Sequence, residues 1–247
     1  MPAVKTRRPQ PRARARRTAG GPPAKLKIRV DATTTVSGLL QVPPDARAVL
    51  VLAHGAGAGM THSFLAAFAA GLAEAGIATL RYQFPYMERG SRRPDRPEVA
   101  HATVRAAVAA VRQRLPKLPC FAGGKSFGGR MTSQAQAIEP LPGILGLVFV
   151  GFPLHPAGKP SIDRAAHLDQ VRIPMLFLQG TDDDLAELKL LRPVCRRLRR
   201  LATLRLFAHA DHAFHVPART GRKGAEVMTE LVATAARWME NQAETTR

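Results

Sequence analysis

Short apolar segments alternate with longer amphipathic segments from residue 26 onward, and their spacing predicts strands followed by helices. Residues 48–53 (AVLVLA) are continuously apolar, which is typical of a strand buried on both faces. Other strands are predicted at residues 26–30 and 34–42, as a half-exposed pair, and at 77–82, 121–123, 144–150, 175–178 and 203–207. Helices are predicted at residues 64–75, 98–115, 185–201 and 225–240, and between a glycine-rich segment at 123–129 and about residue 138. This alternation predicts an α/β fold in which a mostly parallel sheet is covered by helices on both faces.

The glycine-rich turn after the strand at 121–123 carries the first candidate for chemistry. Residues 124–128 (GKSFG) form a G-x-S-x-G motif between a predicted strand and a predicted helix. In that context the turn holds Ser126 in a strained conformation with its hydroxyl exposed, and the flanking glycines keep side chains away from the turn. The motif predicts that Ser126 is a nucleophile, although the same glycines could serve only the backbone conformation.

The same residues also resemble the end of a phosphate-binding loop, G-x-x-x-x-G-K-S. Such a loop requires glycine five residues before Gly124, where this sequence has Pro119. The preceding strand also leaves no room for a loop that wraps a phosphate. We therefore predict neither a nucleotide-binding site nor a cofactor at this turn.

A nucleophilic serine needs a base, and the base needs an acid that orients it. In folds with this turn the acid and then the histidine follow the serine along the chain. The segment 179–184 (QGTDDD) follows one predicted strand and the segment 209–215 (HADHAFH) follows the next. Because functional groups collect at the carboxyl ends of parallel strands, both segments should lie beside Ser126. The three histidines could also bind a metal, but no carboxylate pattern accompanies them, and no metal site is predicted.

The oxyanion that forms during acyl transfer needs backbone N–H donors. We expect one donor from Phe127, the residue after the serine. The second is expected from the small-residue loop at 53–59 (AHGAGAG), in which Ala56 is the best candidate. Since backbone amides do this work, His54 is predicted to be a structural histidine.

The charge of the chain is unevenly distributed. The 247 residues carry a net charge of +19, and residues 1–29 hold ten basic residues and no acidic one. Prolines and glycines interrupt this part, so residues 1–24 are predicted to be a disordered basic tail and residues 25–243 a single domain. The tail predicts at most weak, nonspecific contact with nucleic acid. Aromatic residues make up only 5%, which weighs against stacking platforms for single-stranded nucleic acid.

Two cysteines, Cys120 and Cys195, lie far apart with no C-x-x-C pair, which excludes a disulfide scaffold and favours a reducing compartment. The longest apolar runs are about half the ~18 residues that a membrane span needs. The basic N-terminus is followed by no apolar signal region. We therefore expect a cytoplasmic protein that does not bind membranes.

Several longer motifs resemble one known family, the predicted α/β-hydrolase-fold proteins grouped with testis-expressed protein 30 and with the hydrolase-like subunit of the non-specific-lethal chromatin complex. These proteins are relatives of the dienelactone-hydrolase-like enzymes. The similar stretches are LAHGAGAGMTH (52–62), RYQFPYM (81–87), RRPDRP (92–97), GGKSFGGR (123–130), GFPLHPAGKP (151–160), LQGTDD (178–183) and DHAF (211–214). The resemblance implies an α/β-hydrolase fold with Ser126 as nucleophile, Asp183 as acid and His212 as base. The family usually has arginine where Asp182 stands, and the G-x-x-D spacing from Gly180 favours Asp183 over Asp182.

The sequence thus predicts a serine hydrolase that acts on a small ester, thioester or similar acyl bond through an acyl-enzyme. The alternative is a non-catalytic hydrolase fold that binds a partner, which fold alone does not exclude. An intact triad favours the enzyme. Only 24 residues, 151–174, lie where lids are commonly inserted, so we expect no large lid domain. The site should be shallow, with Arg92, Arg93 and Arg96 near its rim, and should favour small or anionic substrates.

Overall fold

A computed structural model of the chain describes residues 21–245, so residues 1–20 of the predicted tail lie outside the described residues. The strands are β1 (Ala24–Arg29), β2 (Thr35–Gln41), β3 (Ala48–Ala53), β4 (Ile77–Tyr82), β5 (Cys120–Lys125), β6 (Ile144–Val150), β7 (Met175–Gly180) and β8 (Ala202–Phe207). The α-helices are α1 (Ser63–Glu74), α2 (Pro85–Glu88), α3 (Pro97–Arg114), α4 (Phe127–Ile138), α5 (Leu188–Arg197) and α6 (Gly224–Thr245). Short 3₁₀ helices lie at Asp163–Gln170, Arg199–Leu201 and Ala218–Thr220.

The strands within residues 21–245 form one sheet in the order β1-β2-β4-β3-β5-β6-β7-β8. Strand β2 pairs antiparallel with both β1 and β4, whereas all pairs from β4 to β8 are parallel. This confirms the predicted mostly parallel α/β sheet. The carboxyl ends of β3, β5, β6, β7 and β8 therefore share one edge, where the loops that carry the candidate residues begin.

The core lies on both faces of the sheet because side chains of a strand alternate between faces. In β3, Val49 and Val51 pack with α3 and α4, while Leu50 and Leu52 pack with α1 and α6. Every residue of β3 is buried, as its continuous apolar pattern predicts. Two apolar layers thus fix the sheet between its helices.

Two elements differ from the sequence prediction. The four-residue helix α2 was not predicted, and α5 is shorter than the predicted helix at 185–201. Residues before α5 are used in a turn instead, since the Ala186 amide donates to the Asp183 carbonyl and the Leu185 carbonyl accepts from Leu154. Pro193 lies inside α5.

The segment between β6 and β7 contains one 3₁₀ helix, Asp163–Gln170, and otherwise irregular turns. It forms no large lid, as its length predicts. None of the helices within residues 21–245 combines the length and the apolarity that crossing a bilayer requires.

Candidate active site

Ser126 lies at the turn between β5 and α4 with φ 49° and ψ −115°, a backbone conformation that L-residues rarely adopt. Such a conformation costs about 1–3 kcal/mol and persists only where the surroundings enforce it. Here the turn packs against the end of β3: a Cβ at Gly124 would lie 2.5 Å from the Ala53 carbonyl oxygen, and a Cβ at Gly128 would lie 2.6 Å from that of His54. Both positions of the motif therefore require glycine, because a side chain there would clash with the backbone at the end of β3. The strained turn leaves the Ser126 hydroxyl at the sheet edge.

The loop after β8 brings His212 to this hydroxyl. His212 Nε2 lies 2.8 Å from Ser126 Oγ, and His212 Nδ1 lies 2.7 Å from Asp183 Oδ2. Asp183 follows β7, which pairs directly with β8. Neighbouring strands thus bring together the serine, the histidine and the carboxylate that lie far apart in the sequence.

The carboxylate of Asp183 is fully buried, and both of its oxygens accept hydrogen bonds. Its Oδ2 accepts from Gln179 Nε2 as well as from His212, and its Oδ1 accepts from the Leu185 amide at 2.8 Å. Gln179 is itself fixed, because its Oε1 accepts from the Phe152 amide at 2.9 Å. Sequence reasoning gave Gln179 no role, although it lies in the quoted LQGTDD stretch.

The alternative acid, Asp182, points elsewhere. Its side chain is 47% exposed, accepts from the Thr181 hydroxyl at 2.8 Å and lies 3.7 Å from His209 Nδ1. His209 and His215 are both exposed and face other carboxylates. Of the candidate acids and bases, His212 is the one that contacts the serine and Asp183 the one that contacts His212.

The candidate oxyanion donors lie on either side of the serine. Phe127 is the first residue of α4, and the loop with Ala56 lies against the turn, since a Cβ at Gly55 would be 3.9 Å from Ser126 Cβ. Within residues 21–245 neither the Phe127 amide nor the Ala56 amide donates a hydrogen bond to the protein. Both N–H groups are therefore available to a ligand oxygen.

His54 is fully buried at the start of this loop. Its Nδ1–H donates to the Gly55 carbonyl at 2.7 Å, and its Nε2 accepts from the Phe84 amide at 3.1 Å. Burial lowers the pKa of His54 to about 4, so the ring is neutral. The prediction of a structural histidine is confirmed: His54 joins the loop after β3 to the segment after β4.

The side chain of Lys125, directly before the serine, reaches the loop after β8. Its Nζ donates to the His212 carbonyl and lies 5.4 Å and 5.9 Å from the ring centroids of Phe214 and Phe64. Burial lowers the pKa of Lys125 to about 8, while the charges of Asp183 and Asp211 act in the opposite sense. Lys125 thus holds the backbone of the histidine loop, a role that its place in the motif did not reveal.

Among residues 21–245 there is no cluster of three or more His, Cys, Asp or Glu side chains that could hold a metal ion. For the turn that carries Ser126, the sequence also predicts that no phosphate-binding loop is present. Strand β5 continues to Lys125, one residue before the serine, which leaves no loop of the phosphate-binding kind.

A parallel sheet of this order, with a strained serine after β5 and with Asp and His after β7 and β8, defines the α/β hydrolases. The chain belongs to the alpha/beta hydrolase domain family, whose profile matches residues 46–240.

Solved structures show the same fold at low sequence identity. The dienelactone hydrolase of Anabaena variabilis superposes with a TM-score of 0.71 at 19% identity, covering 90% of this chain and 99% of the other. A serine hydrolase without a lid from Xanthomonas campestris gives 0.67 at 21% identity, covering 88% and 95%. The esterase domain of a Rhodothermus marinus protein gives 0.64 at 15% identity, covering 87% and 98%.

Proposed function

We propose that the protein is a serine hydrolase that cleaves a small ester, thioester or similar acyl bond through an acyl-enzyme. The observation that carries this proposal is the continuous hydrogen-bonded chain from Ser126 Oγ through His212 to Asp183, at 2.8 Å and 2.7 Å. A partner-binding module has no need of such a chain or of a strained serine.

In the proposed reaction Ser126 Oγ attacks the acyl carbon while His212 Nε2 takes the hydroxyl proton. Asp183 keeps the proton of Nδ1 in place and stabilises the imidazolium. The amides of Phe127 and Ala56 donate to the oxyanion. When the intermediate collapses, His212 returns the proton to the leaving oxygen or sulfur, and water then releases the acid by the same steps.

The short segment between β6 and β7, whose regular structure is one 3₁₀ helix, supports a small acyl group. An enclosed tunnel would be needed to remove a long chain from water at about 0.8 kcal/mol per methylene, and the segment 151–174 builds none. We expect kcat/KM on p-nitrophenyl esters to be highest between acetate and butyrate. A steady rise to dodecanoate would contradict this expectation.

Three further assignments belong to the same proposal. The GGKSFGGR and RYQFPYM motifs support kinship with the proteins grouped with testis-expressed protein 30. The proposed organisation is a basic tail at 1–24, with weak nonspecific contact to nucleic acid, and one domain at 25–243. We propose a cytoplasmic location, because the two cysteines are free and buried.

Labelling with a fluorophosphonate probe, followed by mapping of the adduct, tests the proposal. The adduct should lie on Ser126 and should disappear in Ser126→Ala. Ser133→Ala is the matched control, because Ser133 Oγ also lies within hydrogen-bond distance of a histidine Nε2, that of His167. Absence of labelling in the wild-type protein, or an adduct on Ser133, would overturn the proposal.

A further inference from the structure

Two arginines near the candidate active site have no carboxylate partner. Five other arginines of the described chain form ion pairs: Arg47 with Glu240, Arg89 with Asp95, Arg105 with Glu139, Arg197 with Asp169 and Arg222 with Glu230. Arg130 and Arg164 are both partly buried, yet within residues 21–245 neither guanidinium has an ion-pair or hydrogen-bond partner. The Arg130 Nε is buried without any acceptor.

Arg130 lies one helical turn after the serine. Its amide donates to the Ser126 carbonyl at 3.1 Å, and its Cζ lies 5.9 Å from the centroid of the Phe127 ring. Side chains on a helix lean toward its N-terminus, so the guanidinium extends along α4 toward the serine end. The contact with Phe127, whose amide is a candidate oxyanion donor, agrees with that direction.

Arg164 approaches from the segment between β6 and β7, where it lies on the 3₁₀ helix that packs against α4. The two arginines are close enough that the charge of Arg164 adds to burial in lowering the pKa of Arg130. His167, on the same 3₁₀ helix, has a pKa of about 4, lowered by burial and then by the charges of Arg130 and His101. The positive charge of this region therefore lies on the two guanidiniums, and the His167 ring is neutral.

Partly buried charges without a counter-ion are costly. A guanidinium is the side chain best suited to pair with a carboxylate or a phosphate through two parallel hydrogen bonds. We propose that Arg130 and Arg164 form a subsite that binds a carboxylate or phosphate group of the acyl substrate, beside Ser126. This inference rests on the proposed function and deepens it, because it assigns the substrate to the anionic acyl compounds. It also places anion recognition on α4 and the 3₁₀ helix rather than on the exposed Arg92, Arg93 and Arg96.

The kinetic test compares two p-nitrophenyl esters with the same glutaryl chain, p-nitrophenyl hydrogen glutarate, which is anionic, and its neutral methyl ester. We expect the wild-type protein to prefer the anionic ester. Arg130→Gln and Arg164→Gln should each reduce that preference about tenfold or more, with the neutral ester changed less than threefold. Arg205→Gln removes one exposed charge from β8 and serves as the control, with the preference retained. An equal fall on both esters, or loss of the preference in Arg92→Gln but not in Arg130→Gln, would overturn the assignment.

A binding measurement separates this inference from the proposed catalysis. Monomethyl glutarate and inorganic phosphate are titrated calorimetrically into the Ser126→Ala protein, which retains the arginines but not the nucleophile. Tighter binding of the first assigns the subsite to carboxylate, and tighter binding of the second assigns it to phosphate. Either affinity should fall about tenfold when Arg130→Gln or Arg164→Gln is added, and circular dichroism checks that each variant is folded. Equal affinities with and without both arginines would overturn the subsite, even if fluorophosphonate labelling supports the serine hydrolase.

Discussion

Two serine–histidine pairs lie along one helix, α4, with Ser126 directly before its first residue and Ser133 inside it, and the atoms of the two pairs are almost equally close. Ser126 Oγ is 2.8 Å from His212 Nε2, and Ser133 Oγ is 2.7 Å from His167 Nε2. The pairs differ in everything around that contact. Comparing them shows which features, beyond a short distance, a nucleophile requires.

The two serines differ in backbone conformation and in the acceptor to which the hydroxyl donates its proton. Ser126 precedes α4 at a strained turn, whereas Ser133 lies within the helix and is completely buried. Ser133 Oγ also lies 2.9 Å from the Arg130 carbonyl, which can only accept. Since a hydroxyl has one proton, Ser133 donates to Arg130, and His167 Nε2–H donates to Ser133. His167 therefore faces Ser133 as a donor and cannot take its proton.

The histidines differ in the charge behind them. His212 has the buried carboxylate of Asp183 at Nδ1, which in the proposed reaction would stabilise the imidazolium. His167 has the positive charges of Arg130 and His101 nearby, and burial and these charges lower its pKa to about 4. The group behind the imidazole, rather than the serine–histidine distance, therefore separates the proposed general base, His212, from His167.

The largest expected effect comes from removing each histidine in turn. His212→Ala should lower kcat/KM on p-nitrophenyl acetate by about 10⁴-fold, because it removes the base that contacts Ser126 within residues 21–245. His167→Gln keeps an N–H donor for Ser133 and should change turnover less than threefold. Steady-state kinetics of the two variants measure the comparison directly. Comparable losses in both would show that the distance alone is sufficient.

The second effect concerns the acid behind the base. Asp183→Asn places an amide nitrogen among three N–H donors and disturbs the tautomer of His212, so kcat should fall by about 10²–10⁴-fold. Asp182→Asn alters an exposed carboxylate that faces His209 and should change kcat less than threefold. The same esterase assay ranks the two variants. The reverse ranking would move the acid by one residue.

The difference between the two pairs marks the limit of prediction from sequence. The strand-length apolar runs and the G-x-S-x-G turn predicted the sheet and Ser126, because both depend on neighbours along the chain. The neighbours of Gln179, Lys125 and Arg130 come from distant parts of the chain: Gln179 meets Phe152, Lys125 meets His212, and Arg130 lies near Arg164 on the 3₁₀ helix between β6 and β7. No local pattern encodes such pairings, although all three residues lie inside motifs that the sequence singled out.

A smaller effect on kcat is expected when Lys125, which positions His212 of the first pair, is replaced. Lys125→Met removes the donor to the His212 carbonyl and should lower kcat about tenfold with little change in KM. The charged donor binds a carbonyl more strongly than a neutral amine, and its pKa is about 8. Wild-type kcat should therefore fall as pH rises through 8, and this fall should be absent in Lys125→Met. Lys159→Met, which alters an exposed lysine, is the control. An unchanged alkaline fall in Lys125→Met would contradict the role of Lys125.

The smallest effect leaves turnover unchanged and concerns the second pair. Folding lowers the pKa of His167 from 6.5 to about 4, so between these values the unfolded chain binds more protons than the folded protein. The free energy of unfolding must then decrease as pH falls from 6.5 to 4, with His167 contributing on the order of 2 kcal/mol. His54, whose pKa is also about 4, contributes in the same direction.

Urea unfolding at a series of pH values measures this dependence. The free energy of unfolding should fall less steeply with decreasing pH in His167→Gln than in the wild-type protein. His215→Gln, which changes an exposed histidine, should match the wild type. The opposite result would be a free energy of unfolding that depends on pH as steeply in His167→Gln as in the wild-type protein. The imidazole of His167 would then have to be protonated in the folded protein, and the electrostatic difference between the two pairs would disappear.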